Sequence, residues 1–132
     1  MLKKFEVSTT RRVEFVDITS LVRQTVAESG VLDGICVVYV PHTTCGITIN
    51  EHADPDVVAD IVNKLEELAP RNGRYAHIEG NSDAHIKASL VGSSQTIIIQ
   101  GGKLLLGIWQ GVFLCEFDGP RKRNVFIKVI AG

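Results

Sequence analysis

The sequence lacks three features that would place it in a large functional class. Its three cysteines show no CxxC spacing, so neither a disulfide framework nor a thiolate zinc site is expected. The net charge is −1, with 14 basic and 15 acidic residues, which argues against a general nucleic-acid binder. No apolar run reaches membrane-spanning length, and the N-terminus has no apolar signal segment. These absences predict a soluble, cytoplasmic protein whose partners are neither nucleic acids nor membranes.

Length and composition indicate one folded domain. The chain has 132 residues, enough to bury one hydrophobic core, and no repeat, linker or low-complexity tract divides it. Hydrophobic residues make up 45% and charged residues 22%, which is typical of globular proteins and too apolar for disorder. We therefore expect a single domain that spans residues 1–132.

Hydrophobic periodicity predicts the elements of the first half of the chain. Alternation predicts strands at Lys3–Ser8 and Arg11–Phe15, joined at Thr9–Thr10 as a hairpin. A helix capped by Asp17 should then run to Gly30. The apolar run 34–40 predicts a strand buried on both faces, and residues 46–50 predict a second strand that returns beside it. Residues 54 and 55 provide the cap and the first-turn proline of a helix that ends near residue 68.

The second half should contain a short helix followed by strands. Asn81 or Ser82 can cap a helix from Asp83 to about Leu90. The glycine pair at 101–102 predicts a hairpin turn between two strands. The expected strands are 95–100, 103–106, 112–117 and 124–130. Because strands outnumber helices and most neighbours should be antiparallel, we predict an α+β fold with two main helices and one short helix on a mixed, mostly antiparallel sheet.

The segment from His77 to Lys87 has the highest density of chemically active groups. It holds two imidazoles, two carboxylates, an amide, a hydroxyl and an ammonium within eleven residues. If His77 ends a strand and His85 lies in the first turn of the short helix, the two rings can meet, with His42 at the end of a central strand as a third member. Three neutral imidazoles would bind zinc or a similar divalent ion and leave a position for water. The alternative is that each histidine is a polar residue satisfied by local hydrogen bonds.

A second group of residues suits an anion. The N-terminus of the helix near Asp83 offers free N–H groups and a positive dipole end, and Lys87 lies one turn along. Arg121 follows a tight turn at 118–120 and can grip a phosphate through two hydrogen bonds. The alternative for Arg121 is a solvated basic hairpin tip.

A third group lies around the strand that follows His42. Cys45 near His42 suggests a thiolate nucleophile, although a cysteine beside a buried strand is more often a small core residue. Glu51 is placed to act as a general base or to orient another group. Trp109 can form the wall of a pocket or pack in the core.

Several ordered motifs together resemble the YjbQ-like family, an uncharacterised protein family associated with a secondary thiamine-phosphate synthase activity. The resemblance covers almost the whole chain. The motifs are Pro41-His42-Thr43-Thr44 with Ile49-Asn50-Glu51, Asp54-Pro55-Asp56-Val57, His77 through Leu90, Gly107-Ile108-Trp109-Gln110, and Phe117-Asp118-Gly119-Pro120-Arg121.

The resemblance implies properties that the residue patterns do not give. It implies a sheet curled into a pseudo-barrel, and a homotrimer with pockets near the subunit boundaries. His42, His77 and His85 would form a histidine cluster proposed as a metal or anion site. The surrounding polar residues would be Glu51, Asn81, Lys87, Trp109 and Arg121. Cys45 departs from the small residue common in relatives, which weakens the nucleophile hypothesis.

These observations lead to one main functional hypothesis and two alternatives. The main hypothesis is a small phosphate-handling enzyme that acts on a phosphorylated metabolite, with thiamine-phosphate synthase-like transfer and a divalent metal, zinc or magnesium. The three histidines would hold the metal, Lys87 and Arg121 would hold phosphate, and Glu51 or Glu79 would accept a proton. The alternatives are a non-catalytic module that binds a phosphometabolite or metal, and a metal-dependent hydrolase.

Overall fold

Eight strands build two antiparallel sheets, and three helices complete the chain. A computed structural model describes all residues, 1–132. The helices are α1 (Thr19–Ser29), α2 (Pro55–Leu68) and α3 (Ser82–Val91). The strands are β1 (Leu2–Ser8), β2 (Glu14–Asp17), β3 (Gly34–Tyr39), β4 (Cys45–Glu51), β5 (Ser94–Gln100), β6 (Lys103–Leu104), β7 (Gln110–Glu116) and β8 (Lys122–Ala131).

The larger sheet has the order β1-β8-β3-β5-β6, and the smaller sheet has the order β2-β7-β4. Every strand pairing in both sheets is antiparallel. The larger sheet curls into a half-barrel. The predicted α+β class, with two main helices and a shorter third, is confirmed, although the strands form two sheets where one was expected. No helix has both the length and the apolarity needed to cross a bilayer.

The smaller sheet is covered on both faces, and this arrangement creates two hydrophobic clusters. The main core lies between the two sheets and includes Val22 of α1, Val38 of β3, Leu114 of β7 and Ile127 of β8. On the other face, the second cluster packs Phe113, Cys115 and Phe117 against Ala84 and Ala88 of α3. Side chains of β7 therefore alternate between the core and the layer formed by α2 and α3.

A buried ion pair links the end of β7 to the start of β8. Glu116 and Arg123 form a salt bridge in which both side chains are almost fully buried. Glu116 also accepts from the Thr9 hydroxyl at 2.8 Å and from the N–H groups of Phe117 and Asp118. Arg123 donates to the hydroxyl of Thr44 at 2.8 Å. Because hydrogen bonds from the surrounding groups satisfy both side chains, the charge pair can remain buried in the low-dielectric interior.

The hairpin predicted at Thr9–Thr10 is wrong. β1 pairs with β8, whereas β2 pairs with β7, so the intervening segment passes from one sheet to the other. β1 alternates in burial as predicted, whereas β2 lies at Glu14–Asp17 instead of Arg11–Phe15 and does not alternate. Alternation identifies the buried face of a strand but carries no information about which strand lies beside it.

Two further predictions about the central strands are also wrong. β4 pairs with β7 and does not return beside β3, whose neighbours are β5 and β8. β3 is buried on one face only, because Ile35 and Tyr39 on its other face are 37% and 43% exposed. The apolar outer face of the larger sheet is therefore accessible in a single chain.

The helices follow their local signals closely. Gly30 ends α1 in the left-handed conformation, with φ of 68°. Asp54 accepts the N–H of Asp56 and Pro55 occupies the first turn of α2, as predicted. The cap of α1 predicted at Asp17 is wrong, because Ile18 occupies that position, although Asp17 accepts the N–H of Thr19. Asn81 immediately precedes α3, but its side chain makes no capping hydrogen bond.

We expect Glu116→Gln to lower the free energy of unfolding by about 3–5 kcal/mol, because it leaves Arg123 buried without its countercharge while keeping the side-chain shape. Urea denaturation of purified protein measures the change. Lys64→Met is the control: it removes an exposed ion pair with Glu67 and should cost less than about 1 kcal/mol. Equal losses in the two variants would contradict the role given to the buried pair.

Candidate functional site

Hydrogen bonds tie the start of α3 to the turn that follows β7. Asn81, immediately before α3, donates its side-chain N–H to Asp118 Oδ2 at 2.9 Å. Arg121 donates to the same Asp118 oxygen at 3.0 Å and to the Asp118 carbonyl at 2.8 Å. Burial alone would raise the pKa of Asp118, but these donors lower it below its ordinary value. The carboxylate therefore fixes both Asn81 and Arg121 in place.

His77 and His85 meet at the start of α3. Their ring centroids are 5.4 Å apart in an edge-to-face arrangement, and both rings line a cavity of about 350 Å³ with Ser82 and Ile86. His77 Nδ1 lies 2.7 Å from the Ser82 hydroxyl, and its Nε2 lies 3.5 Å from a carboxylate oxygen of Glu79. The predicted approach of two histidines separated by eight residues therefore occurs, although no strand ends at His77 as was expected.

His42 does not lie in this cavity. It borders a neighbouring one of about 480 Å³ with Cys45, and His85 lines both cavities. His85 therefore borders both cavities, and the three rings do not line one common cavity. No group of three or more histidine, cysteine, aspartate or glutamate side chains is arranged to hold a single metal ion.

The hydrogen bonding of His42 also fits poorly with a metal ligand. The backbone N–H of Asn124 donates to His42 Nε2 at 2.9 Å, so this nitrogen has no lone pair left for a cation. Burial lowers the pKa of His42, and the charge of Arg123 lowers it further. A neutral ring held by the backbone suits a structural or hydrogen-bonding role, so the residues as placed do not fit a three-histidine metal centre.

The predicted phosphate ligand Lys87 is buried beneath the start of α3. It is 2% exposed and donates to Glu66 at 2.8 Å and to Asp83 at 2.9 Å. Asp83 is fully buried and also receives two hydrogen bonds from Arg12, at 3.0 and 3.2 Å. Burial alone would raise the pKa of Asp83, but the hydrogen bonds from Arg12 and Lys87 outweigh that effect and lower it. Lys87 is therefore engaged by two carboxylates within the chain.

The sequence analysis missed most of this network. Arg12, Glu66, Ser82 and Asp118 all contact predicted site residues or their partners, and none was singled out as a site residue. The spacing of four between Asp83 and Lys87 is a helical ion-pair signal that could have identified that contact. Arg12 lies 71 residues from Asp83, and no local pattern announces such a contact.

The remaining predicted site residues divide between two ends of the smaller sheet. Glu51 pairs with Gln110 at one end of the β4–β7 ladder, next to Trp109, whereas Cys45 pairs with Glu116 at the other. The six residue steps between these ends correspond to roughly 20 Å along a strand. Trp109 is 59% exposed. Within one chain, Glu51 and Trp109 are therefore separated from the end of the sheet where His42 lies.

Cys45 lacks the environment of an activated nucleophile. It is buried, and burial raises the pKa of its thiol to about 11. A reactive cysteine requires a lowered pKa and access to solvent. The thiol therefore behaves as a small core side chain, in agreement with the alternative considered for it.

The molecule combines an α+β fold of two antiparallel sheets with histidines that meet at the start of a helix. The chain matches the family model described as UPF0047 protein YjbQ-like over residues 3–132. It is 60% identical over 130 residues to UPF0047 protein MJ1081 of Methanocaldococcus jannaschii, covering 98% of this chain and 94% of that protein. Identity to UPF0047 protein YugU of Bacillus subtilis is 48% over 131 residues, covering 98% and 99%. The chain therefore belongs to the UPF0047 YjbQ-like family, which confirms the resemblance.

Solved structures support this assignment. A YjbQ/UPF0047 family protein from Clostridium acetobutylicum superposes with a TM-score of 0.95 at 58% identity, covering 97% of this chain and 99% of that one. A protein of unknown function from Sulfolobus solfataricus superposes with a TM-score of 0.97 at 36% identity, covering 100% and 97%. The fold is thus retained across substantial sequence divergence.

We expect His42→Ala to leave the zinc affinity of the purified protein unchanged, because the coordinating lone pair of His42 Nε2 is taken by the Asn124 N–H. Competition titration with a coloured zinc chelator measures the affinity. His85→Ala is the matched comparison, since that ring borders both cavities. A weaker zinc affinity in His42→Ala than in wild type would show that His42 turns to bind metal.

Proposed function

We propose that this protein is an enzyme that handles small phosphorylated metabolites in the cavity between His77 and His85. The observation that carries this proposal is the pairing of two imidazoles, 5.4 Å apart, at the N-terminus of a ten-residue helix. Imidazoles can transfer protons near neutral pH, and helix N-termini favour anions. The combination suits a substrate that carries phosphate and needs acid–base chemistry.

Anion binding is supported by the groups at the start of α3. The first N–H groups of a helix have no intrahelical acceptor and carry partial positive charge. The negative charge of Asp83 in this first turn is compensated by Arg12 and Lys87. It therefore does not cancel the positive potential at the helix N-terminus. Arg121, held by Asp118, adds a half-exposed guanidinium at the adjoining turn. These groups would bind the oxygens of a phosphate or diphosphate.

Proton transfer is supported by the surroundings of His77. Glu79 beside Nε2 favours the tautomer with its proton on that nitrogen, so that Nδ1 accepts from the Ser82 hydroxyl. To act as a general acid, His77 takes up a second proton at Nδ1, with Glu79 balancing the charge of the imidazolium. It then passes one proton to a departing phosphate oxygen and returns to the neutral ring. The side chain of Asn81, next to this helix start, has a buried carbonyl oxygen without a hydrogen-bond partner.

The reaction that we propose for testing is thiamine-phosphate synthase-like transfer, in which a pyrimidine diphosphate and a thiazole phosphate join with loss of diphosphate. Both substrates are phosphorylated, and the leaving diphosphate needs neutralisation of its developing charge. The cationic and N–H groups at the start of α3 meet that need without any step that depends on a metal.

We expect His77→Ala to reduce turnover with these two substrates by about 10²–10⁴-fold, as for loss of a general acid or base. Arg121→Ala should chiefly weaken the binding of inorganic diphosphate, measured by titration calorimetry. Lys122→Ala is the matched cation control, because its side chain is exposed and points away to Glu6. Diphosphate binding by wild type without turnover would favour the non-catalytic module, and absence of both would refute the proposal.

We also propose that the protein works as a homotrimer whose pocket is shared between subunits. The separation of Glu51 and Trp109 from the His42 end of the smaller sheet supports this, because a neighbouring copy could bring the two ends together. Exposed apolar side chains flank both parts: Ile78 is 94% exposed and Ile108 is 85% exposed. Such residues are candidates for burial in a subunit interface.

Subunit mixing tests this arrangement. Glu51→Ala and His77→Ala chains, each inactive alone, are unfolded, mixed in equal amounts and refolded together. If Glu51 and His77 of different subunits form one pocket, roughly a quarter of all pockets in the refolded mixture should be intact and activity should return in proportion. Each variant refolded alone is the control. Absence of recovery, or a monomeric mass of 14.4 kDa by sedimentation, contradicts the shared pocket.

A further inference from the structure

The largest cavity of the molecule lies away from His77 and His85 and is not used by the proposed function. It has a volume of about 540 Å³ and lies between β2, the first half of α2 and the helix-facing side of β7. Its apolar wall includes Phe15, Phe113, Val58 and Val62. Cavities of this size and character accommodate small organic ligands.

One histidine is fixed at the border of this cavity. His52 Nδ1 lies 2.9 Å from Asp17 Oδ2. The other oxygen of Asp17 accepts from the N–H and the hydroxyl of Thr19, and that hydroxyl accepts from the N–H of Val112. This chain of hydrogen bonds begins in the backbone of β7 and ends at the imidazole. His52 is therefore oriented in the way that supporting hydrogen bonds orient functional histidines.

A glycine in β7 makes room for the ring. A Cβ atom at Gly111 would lie 2.4 Å from His52 Nδ1 and 2.5 Å from the adjacent ring carbon. No side chain can occupy that position unless the imidazole moves. One side of the ring packs against the backbone of Gly111, and Asp17 holds its Nδ1. Two separate contacts therefore fix the position of the imidazole.

The protonation pattern follows from these contacts. Asp17 is a carboxylate whose pKa is lowered, since burial would raise it but hydrogen bonds from Thr19 and His52 prevail. An ionised carboxylate only accepts hydrogen bonds, so His52 Nδ1 must carry a proton. In the neutral ring Nε2 is then an acceptor, and the ligand group that it binds has to be a donor.

The charges around the cavity narrow the choice of donor. Glu14, Asp17 and Asp54 line it, whereas Arg11 is the only cationic residue in its wall, and Arg11 lies 3.8 Å from Glu14. The three carboxylates outnumber the cationic groups of the lining, so its formal charge is negative. A cationic donor is therefore favoured over an anionic or neutral one, and aromatic rings in the wall add attraction for cations.

We propose that this cavity binds a small organic ammonium compound with an aromatic or branched apolar body. The ammonium group donates to His52 Nε2 in the field of Asp17 and Asp54, and the apolar body packs against Phe15 and Phe113. This site is separate from the phosphate-handling cavity and takes a ligand of opposite charge.

Phenethylamine is a suitable probe, with phenethyl alcohol and phenylacetate as neutral and anionic analogues of similar size. Binding to the full-length protein is followed through the ring C–H resonances of His52 by NMR and is quantified by calorimetry. We expect saturable binding of the amine at neutral pH, at least tenfold weaker binding of the alcohol, and no binding of the carboxylate. Tighter binding of either analogue than of the amine overturns the proposal.

Two variants locate the bound probe. Val62→Trp fills the cavity and should abolish binding, whereas Asp60→Trp puts the same ring on the exposed side of α2 and should retain it. His52→Leu keeps the cavity but removes the acceptor, and should weaken binding at least tenfold. Circular dichroism verifies that each variant is folded. Unchanged binding in both Val62→Trp and His52→Leu, or no saturable binding by wild type at millimolar amine, overturns the proposal.

Discussion

The buried pair of Glu116 and Arg123 is the constraint on which the geometry of the molecule depends. Removing both charges from water is costly, and the fold offsets this cost by surrounding them with hydroxyl and backbone partners from three segments. Those partners fix where the chain leaves β1, where β4 begins and where β7 turns into β8. Because Thr44 receives Arg123 and the neighbouring Asn124 donates to His42, the same pair also determines the position of His42. Structural and functional parts of the chain are thus held by one electrostatic interaction.

Structural features that depend on nearby residues could be predicted from the sequence, whereas features that depend on distant residues could not. The cap and proline at Asp54 and Pro55 act within one helical turn, so the start of α2 was predicted correctly. Strand partners depend on contacts between distant segments, which explains why the hairpin at Thr9–Thr10 and the pairing of β4 with β3 were both wrong. The segment from His77 to Lys87 was identified by its unusual chemistry, and its two histidines do meet.

What could not be predicted was how each polar side chain would be used. Lysine is a common phosphate ligand, yet burial next to Asp83 commits Lys87 to an internal ion pair. His42 has the composition of a metal ligand, yet a backbone amide 82 positions away occupies its nitrogen. In both cases a contact within the fold occupies the side chain, so the side chain cannot take the role that its residue type suggested.

The position of His85 between two cavities has a consequence for any pair of molecules that occupies them. A neutral imidazole carries a single N–H, so one ring nitrogen donates while the other accepts. An occupant that accepts a hydrogen bond from His85 in one cavity selects the tautomer that is presented to the other. Two ligands that do not contact each other would therefore be coupled through the tautomer of His85.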